Sequence, residues 1–147
     1  MAEINPYEPP KADLNANGAA ATTTSVWNPT AVALWSLLFS PIFGSVLVGL
    51  NWKALGQPQR ASRAWAWLVA TAILAVVLSV LPFRTGVLNI VILVAWFRDL
   101  AQPQITWVKE HHGSAYARRA WWVPLGIAFG VLLLLFLFFL SAAAVED

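Results

Sequence analysis

The sequence predicts an all-α membrane protein in which four transmembrane helices form two pseudo-repeated hairpins behind a disordered amino-terminal tail. Three observations lead to this fold class. Of the 147 residues, 59% are hydrophobic and only 11% are charged, which is less than half the charged fraction of about 25% in soluble domains. Long apolar stretches follow one another along the chain. A short motif also occurs twice, each time between two such stretches.

The repeated motif joins an aromatic and a basic residue to a Gln-Pro-Gln ending. Residues 52–59 read Trp-Lys-Ala-Leu-Gly-Gln-Pro-Gln, and residues 97–104 read Phe-Arg-Asp-Leu-Ala-Gln-Pro-Gln. Each copy is followed further along by Arg-Ala-Trp, at residues 63–65 and 119–121. Because glycine and proline interrupt the apolar pattern here, each copy is predicted to form a bend between two helices.

The duplication divides the chain into a tail and a transmembrane domain. Hairpins over about residues 30–81 and 83–145 make up a domain at 27–147. Residues 1–26 are rich in proline, asparagine and threonine and have no apolar period, so we expect a disordered tail. They lack the basic start and apolar core of a signal peptide. Tyr7, within Asn-Pro-Tyr-Glu-Pro-Pro, is a candidate tail-docking residue on an extended segment; a soluble leader without a partner is the alternative.

The first hairpin is predicted to contain two crossing helices. Asn28 is suited to the N-cap and Pro29 to the first helical position. Residues 30–50 contain no charged side chain, and about 20 such residues are needed to cross the hydrocarbon core. A basic bend at 51–63 follows, and the uncharged residues 64–81 form the second span.

Small residues recur every four positions in these helices, which predicts faces where a neighbouring helix backbone can approach closely. Pro41 lies inside the first span and predicts a kink in that helix. The last helix carries a GxxxG pair with the same role. An incidental abundance of small residues in membrane helices is the alternative. The candidate helix-packing residues are Ser36, Ser40, Gly44, Thr71, Ala75, Ser79, Gly126 and Gly130.

The second hairpin begins with a short apolar stretch at residues 87–97. Eleven helical residues rise only about 16 Å, so two interpretations stay open. The stretch is either a re-entrant segment or part of a span that starts near Phe83 and runs through Arg98 into Leu100. The span is favoured because the duplication requires both bends to lie on the same side of the membrane. Asn89, its one strongly polar interior residue, is expected to bond to a neighbouring helix.

The second bend, residues 99–120, is longer than the first. Pro103 can open a short helix that ends at Gly113, and the aromatic and apolar residues of that helix suit a position on the membrane surface. Ser114 is a candidate N-cap for the last helix. Residues 123–145 form the final span, because they contain no charged side chain over more than 20 positions.

The positive charges predict an orientation. Seven basic residues lie in the bends or, for Arg98, directly beside one, and only Lys11 and Arg84 lie on the opposite side, so the positive-inside rule places both bends in the cytoplasm and both termini outside. Tryptophans lie near the same side, as expected where aromatic rings settle among lipid headgroups. The candidate lipid-headgroup residues are Lys53, Arg60, Arg63, Arg98, Lys109, Arg118, Arg119, Trp52, Trp65, Trp121 and Trp122.

The sequence contains no recognisable catalytic or cofactor chemistry. None of the four apolar stretches carries an ionisable residue, and intramembrane enzymes or proton-coupled carriers depend on such groups. Adjacent His111 and His112 point about 100° apart on a helix, so they do not match a metal-binding pair. Asp99 is expected to be a helix-end or salt-bridge residue. The chain has no cysteine, and its net charge of +2 does not indicate nucleic-acid binding. We therefore expect no catalytic residue, no cofactor and no metal.

Two parts of the sequence are similar to known proteins. Asn5 to Pro10 resembles the leader of many small bacterial inner-membrane proteins. The body resembles an uncharacterised family of short bacterial multi-pass proteins, a resemblance that implies a bacterial inner membrane but no activity. The residues that carry it are Phe43-Gly44, the run from Leu50 to Gly56, Gln102-Pro103, His111 or His112 with Gly113-Ser114, and Trp121-Trp122.

Together these observations predict a non-enzymatic accessory protein. Its small-residue faces would pack with a second copy or with a larger membrane complex, and its bends would bind anionic lipid headgroups of the cytoplasmic leaflet. A small transporter or channel formed by oligomers is the alternative, with a pore between the hairpins. The sequence names neither a partner nor a transported substrate.

Overall fold

The first two helices fold back on each other instead of forming one span. The computed structural model describes residues 24–80, 86–113 and 116–146. Helix α1 covers Pro29–Phe39 and helix α2 covers Pro41–Ala54. The Trp27 backbone N–H donates to Asn51 Oδ1 at 2.9 Å, and Asn51 Nδ2 donates to the Trp27 carbonyl at 2.8 Å. The two ends of the predicted first span therefore meet, and the expectation that residues 30–50 cross as a single kinked helix is wrong.

The reversal takes place at Ser40. Its φ of 126° and ψ of 162° lie in a region that residues other than glycine rarely adopt, and Pro41 follows with no N–H to continue the first helix. The two limbs then approach closely where Gly44 faces α1. A Cβ added at Gly44 would lie 2.1 Å from Ser36 Oγ and 2.3 Å from Trp96 Cζ2, so only glycine fits there.

Helix α3, Pro58–Ser79, packs antiparallel to α2 across a short turn. The turn places Gly56 at a φ of 69°, where a residue without Cβ avoids strain. The predicted bend at 51–63 is thus reduced to three residues, because both helices extend into it. Ala61 and Ala64 are buried in the contact.

The next helices form one continuous rod. Helix α4 covers Gly86–Trp96, a π-helical turn covers Phe97–Ala101, and α5 covers Gln102–His112. The backbone stays in the right-handed helical region across both junctions, so the interpretation in which the helix runs through Arg98 into Leu100 agrees with this geometry. The wide turn directly precedes Pro103, whose ring would otherwise clash with the carbonyl four residues earlier.

Helix ends agree with several sequence predictions and disagree with one. The Asn28 side chain accepts a hydrogen bond from the Thr30 N–H at 3.1 Å, and Pro29 opens α1 as expected. Helix α5 ends at Gly113, whose φ is 57°, which confirms its predicted end. The N-cap predicted at Ser114 is wrong for the last helix, because α6 begins only at Trp122 and extends to Glu146; Ser114 itself lies outside the described residues.

The segment before α1 lies beside the second bend. Val26 forms a parallel β-bridge with Arg118, in which its N–H donates to the Ala117 carbonyl at 3.1 Å and its carbonyl accepts from the Arg119 N–H at 3.0 Å. The prediction that the chain enters α1 on the side opposite the bends is therefore wrong. The hairpin supplies the physical reason, since it returns the chain to the side on which it started.

Among the described helices, two are long and apolar enough to cross a membrane, namely Pro58–Ser79 and Trp122–Ala144. Four spans were expected. The limbs of the first hairpin have 11 and 14 residues, and the apolar part of the rod has 11 before the π-helical turn brings in Arg98 and Asp99. The architecture is therefore all-helical in the part of the chain described, with unequal halves.

Candidate functional site

A buried amide network joins the hairpin to the rod and to the start of α1. Asn51 Nδ2 also donates to Gln104 Oε1 at 3.2 Å, and Gln104 Nε2 donates to the Val48 carbonyl at 3.0 Å. Both amides are fully buried, and their bonds satisfy groups that would be costly to bury without partners. This network fixes where the first hairpin sits against α5.

An aromatic core surrounds the network. Trp52 and Trp96 are 2% and 0% exposed, and Trp96 Nε1 donates to Ser45 Oγ at 2.9 Å. Trp52 was predicted to contact lipid headgroups, but it is a core residue. Trp107 packs edge-on against it with ring centroids 5.5 Å apart, and the Arg60 guanidinium covers it at 4.8 Å.

The basic residues of the bends lie around this core at one end of the molecule. Arg119 stacks on Trp27 at 4.9 Å, and Arg118 lies over Tyr116 at 5.5 Å. Lys53, Arg98 and Lys109 are exposed. The remaining predicted headgroup residues are half-buried at Trp65 and Trp121 and exposed at Arg60, Arg63 and Trp122.

Asp99 connects the two bends. Its carboxylate pairs with Arg63 and accepts a hydrogen bond from Trp67 Nε1 at 2.5 Å. These partners lie on α3, so the ion pair crosses between elements rather than joining Asp99 to its neighbour Arg98. A cleft of about 620 Å³ opens beside it, lined by Arg60, Arg63, Arg98, Asp99 and Glu110 among others.

An apolar groove runs between α1 and the rod. Its volume is about 550 Å³, and its lining includes Leu34, Leu37, Leu93, Val94 and Arg98. A second cavity of about 390 Å³ lies at the hairpin tip, between Ser40, Thr71 and Asn89. Leu37 and Leu93 line both, so the two spaces are neighbours along α4.

Some of the candidate helix-packing residues pack inside the molecule, and the others are exposed on its surface. Ser36 and Gly44 meet inside the hairpin, Ser40 is its tip, and Thr71 is buried. Ala75 and Ser79 are exposed on α3, and a Cβ added at Gly126 or Gly130 would meet nothing within 4 Å. Tyr7, the candidate docking residue of the tail, lies outside the described residues.

The two histidines lie at the end of α5. The His111 ring stacks on Trp107 with centroids 4.3 Å apart, and its Nδ1 lies 2.9 Å from the Trp107 carbonyl. His112 meets the same indole edge-on at 5.5 Å. Within the described ranges no cluster of three His, Asp or Glu residues is placed to hold a metal ion.

Sequence reasoning missed the amide network and the bridge at Asp99. The available signals were weak: Asn51 directly follows a long apolar run, and Gln104 ends the second Gln-Pro-Gln.

Comparisons with protein-family models, curated proteins and solved structures find no match. The function is therefore argued from the geometry of the chain itself.

Proposed function

We propose that this protein is a non-enzymatic accessory subunit of a membrane, which packs through α6 with a second copy or with a larger membrane complex. The observation that carries the proposal is the state of α6. It contacts the rest of the molecule near its start, where the Phe129 ring meets Phe39 edge-on at 5.2 Å. Beyond that point every side chain from Val131 to Leu140 is 47% to 69% exposed.

Such a surface suits a lipid or protein environment rather than water. Contiguous apolar patches larger than a few hundred Å² mark membrane or protein contacts. Gly126 and Gly130 lie one turn apart on α6 with open space beside them, which permits the close backbone approach seen at GxxxG helix pairs. The basic and tryptophan-rich end supports a position at the anionic cytoplasmic leaflet.

The proposed topology keeps both bends in the cytoplasm but changes the position of the amino-terminal side. Because Val26 pairs with Arg118, the chain before α1 begins on the cytoplasmic side and the first hairpin is re-entrant. Helix α3 then crosses to the far side, the chain returns to the cytoplasmic side with the rod, whose apolar part has 11 residues, and α6 crosses and ends outside. Reporter fusions before Met1 and after Asp147 should give a cytoplasmic and an external signal, respectively; a cytoplasmic signal after Asp147 would contradict this topology.

The accessory function is tested by purification of the tagged full-length chain from its native membrane in mild detergent. We expect a stoichiometric membrane protein, or a second copy, to come with it. Gly126→Leu should abolish that association, because the added side chain blocks the close approach. Ala142→Leu is the matched control, since residue 142 lies about 160° around the same helix. If Gly126→Leu leaves every association unchanged, α6 does not pack through this face.

A small oligomeric transporter is the second candidate, and the cavity at the hairpin tip favours it. Non-helical backbone at membrane depth is found where it is buried in protein or lines a water-filled cavity, and Ser40 lines this one together with Asn89. Flux across vesicles containing the purified chain tests this function. Asn89→Leu should remove the flux, whereas Asn89→Gln should retain part of it.

A further inference from the structure

The groove between α1 and the rod has an apolar wall and meets a charged cleft at Arg98. Leu34 and Leu37 from α1 line it together with Leu93 and Val94 from α4. Almost no polar surface lines the space, and Arg98 lines both this groove and the neighbouring cleft that contains Arg60 and Arg63. The apolar groove therefore adjoins a charged cleft at this residue.

Arg98 is placed to bind an anion. Its neighbour Asp99 is engaged by Arg63 and Trp67, so that carboxylate does not neutralise Arg98. The side chain is exposed and also lines the cleft that contains three arginines, at 60, 63 and 98, and two carboxylates, at 99 and 110. A guanidinium binds phosphate oxygens through two parallel hydrogen bonds, which makes a phosphate group the natural ligand at this position.

The dimensions of the groove fit a lipid chain. From Arg98 to Asn89 the rod rises about 14 Å, close to the depth of about 15 Å of one leaflet. The groove and the tip cavity follow this distance and share Leu37 and Leu93. A partner helix is a poorer fit, because helix interfaces in membranes favour small residues and this wall is made of large branched ones.

We propose that this groove is a specific site for one anionic phospholipid, with its phosphate on Arg98 and one acyl chain lying along α1 and α4 toward the hairpin tip. The site rests on the membrane residence proposed above. It differs from general attraction to a charged leaflet because it requires one arginine and one groove.

The experiment measures lipid binding to the full-length chain by native mass spectrometry, with phosphatidylglycerol and phosphatidylcholine titrated into the delipidated protein. We expect one tightly bound phosphatidylglycerol. Arg98→Gln should weaken it about tenfold, the effect of losing a charge-assisted hydrogen bond. Arg118→Gln makes the same change in charge outside the groove and should stay within about twofold of the native affinity on the same grounds.

A second pair of variants tests the acyl chain. Val94→Trp fills the groove from its exposed side and should prevent binding of phosphatidylglycerol and of phosphatidylcholine. Val91→Trp is the control, because it adds the same bulk on α4 outside both cavities. Equal losses for Arg98→Gln and Arg118→Gln, or full binding by Val94→Trp, would overturn the site. A photoreactive residue at position 94 that captures a protein instead of lipid would overturn it as well.

Failure of the lipid site and failure of the proposed function give different results. Carbonate extraction of membranes containing each variant reports whether the chain is integral. Release of the native chain into the supernatant would contradict membrane residence itself. Retention in the pellet combined with lost discrimination between Arg98→Gln and Arg118→Gln would contradict the lipid site alone.

Discussion

The two copies of the repeated motif adopt different backbones. In the first copy, α2 ends at Ala54 and the chain reverses through Gly56 before Pro58 opens α3. In the second copy the same pattern of residue types forms a π-helical turn, and the helix continues in its original direction. The fifth position is glycine at a φ of 69° in one copy and right-handed helical Ala101 in the other.

The two copies also differ in which motif positions are buried. Trp52 is 2% exposed, whereas Phe97 at the same motif position is 40% exposed. At the last position Gln59 is exposed and Gln104 is fully buried. A shared pattern of residue types therefore need not produce a shared bend. One glycine permits the turn, and the elements packed against each copy decide which side chains enter the core.

The aromatic pair should show the largest difference in stability. Trp52→Ala is expected to lower the free energy of unfolding by about 4 kcal/mol, because it leaves a large cavity in the core and removes the contacts with Trp107 and Arg60. Phe97→Ala should cost about 1 kcal/mol or less, as is typical of exposed positions. Unfolding by SDS in mixed micelles, followed by far-ultraviolet circular dichroism, measures both. Equal losses in the free energy of unfolding would mean that the first motif position contributes equally to stability in the two copies.

The glutamine pair should show the next largest difference. Gln104→Ala removes the bonds to Asn51 and to the Val48 carbonyl and leaves buried groups without partners, so we expect a loss of about 2 kcal/mol. Gln59→Ala should change stability by less than about 0.5 kcal/mol. The same unfolding assay applies. A double variant of Asn51 and Gln104 should lose less than the sum of the single losses, because the two amides act together.

Substitutions at the fifth motif position, Gly56 in the first copy and Ala101 in the second, test what causes the turn between α2 and α3. Gly56→Ala forces a Cβ into the left-handed region and should cost about 1.5 kcal/mol. Ala101→Gly should cost about 1 kcal/mol through lower helix propensity and roughly 1 kcal/mol more through the loss of a buried methyl group, because Ala101 is 1% exposed. Unfolding transitions of both variants give the magnitudes. A neutral Gly56→Ala would show that the turn does not depend on glycine.

The ion pair between the two bends should have the smallest effect. Asp99→Asn removes the ion pair with Arg63, whose side chain is 66% exposed, so solvent screening limits the loss to about 0.5 kcal/mol. This loss should shrink as salt is added. Glu110→Gln provides a control with the same change in charge at an exposed position. A loss that does not respond to salt would assign the role of Asp99 to its Trp67 hydrogen bond instead.

Local signals in the sequence predicted local structure well. Asn28 followed by Pro29 marked the start of α1, and Gly113 marked the end of α5, because caps and ring constraints act over a few residues. Pro103 did not start a new helix, since the rod continues through it. The helical class followed from composition. These features need no knowledge of what lies across the molecule.

The tertiary features were not predictable in the same way. Pro41 inside an apolar stretch usually predicts a kink, and the full reversal depends on Ser40 taking a rare conformation that Gly44 and Trp96 hold in place by close packing. The amide network joins Asn51 to a residue 53 positions away, and no spacing rule connects them. The groove between α1 and the rod likewise forms only when these two elements lie side by side.

The proposed topology, with its re-entrant hairpin, bears on how the protein would be assembled. In a four-span arrangement the tail, with Glu3, Glu8, Lys11 and Asp13, would have to be carried through the bilayer during synthesis. A hairpin that enters and leaves on one side removes that step, since only its uncharged tip moves inward. Under the proposed topology, biogenesis would require no export of the amino-terminal segment, and the first polar residues to be translocated would be those between α3 and α4.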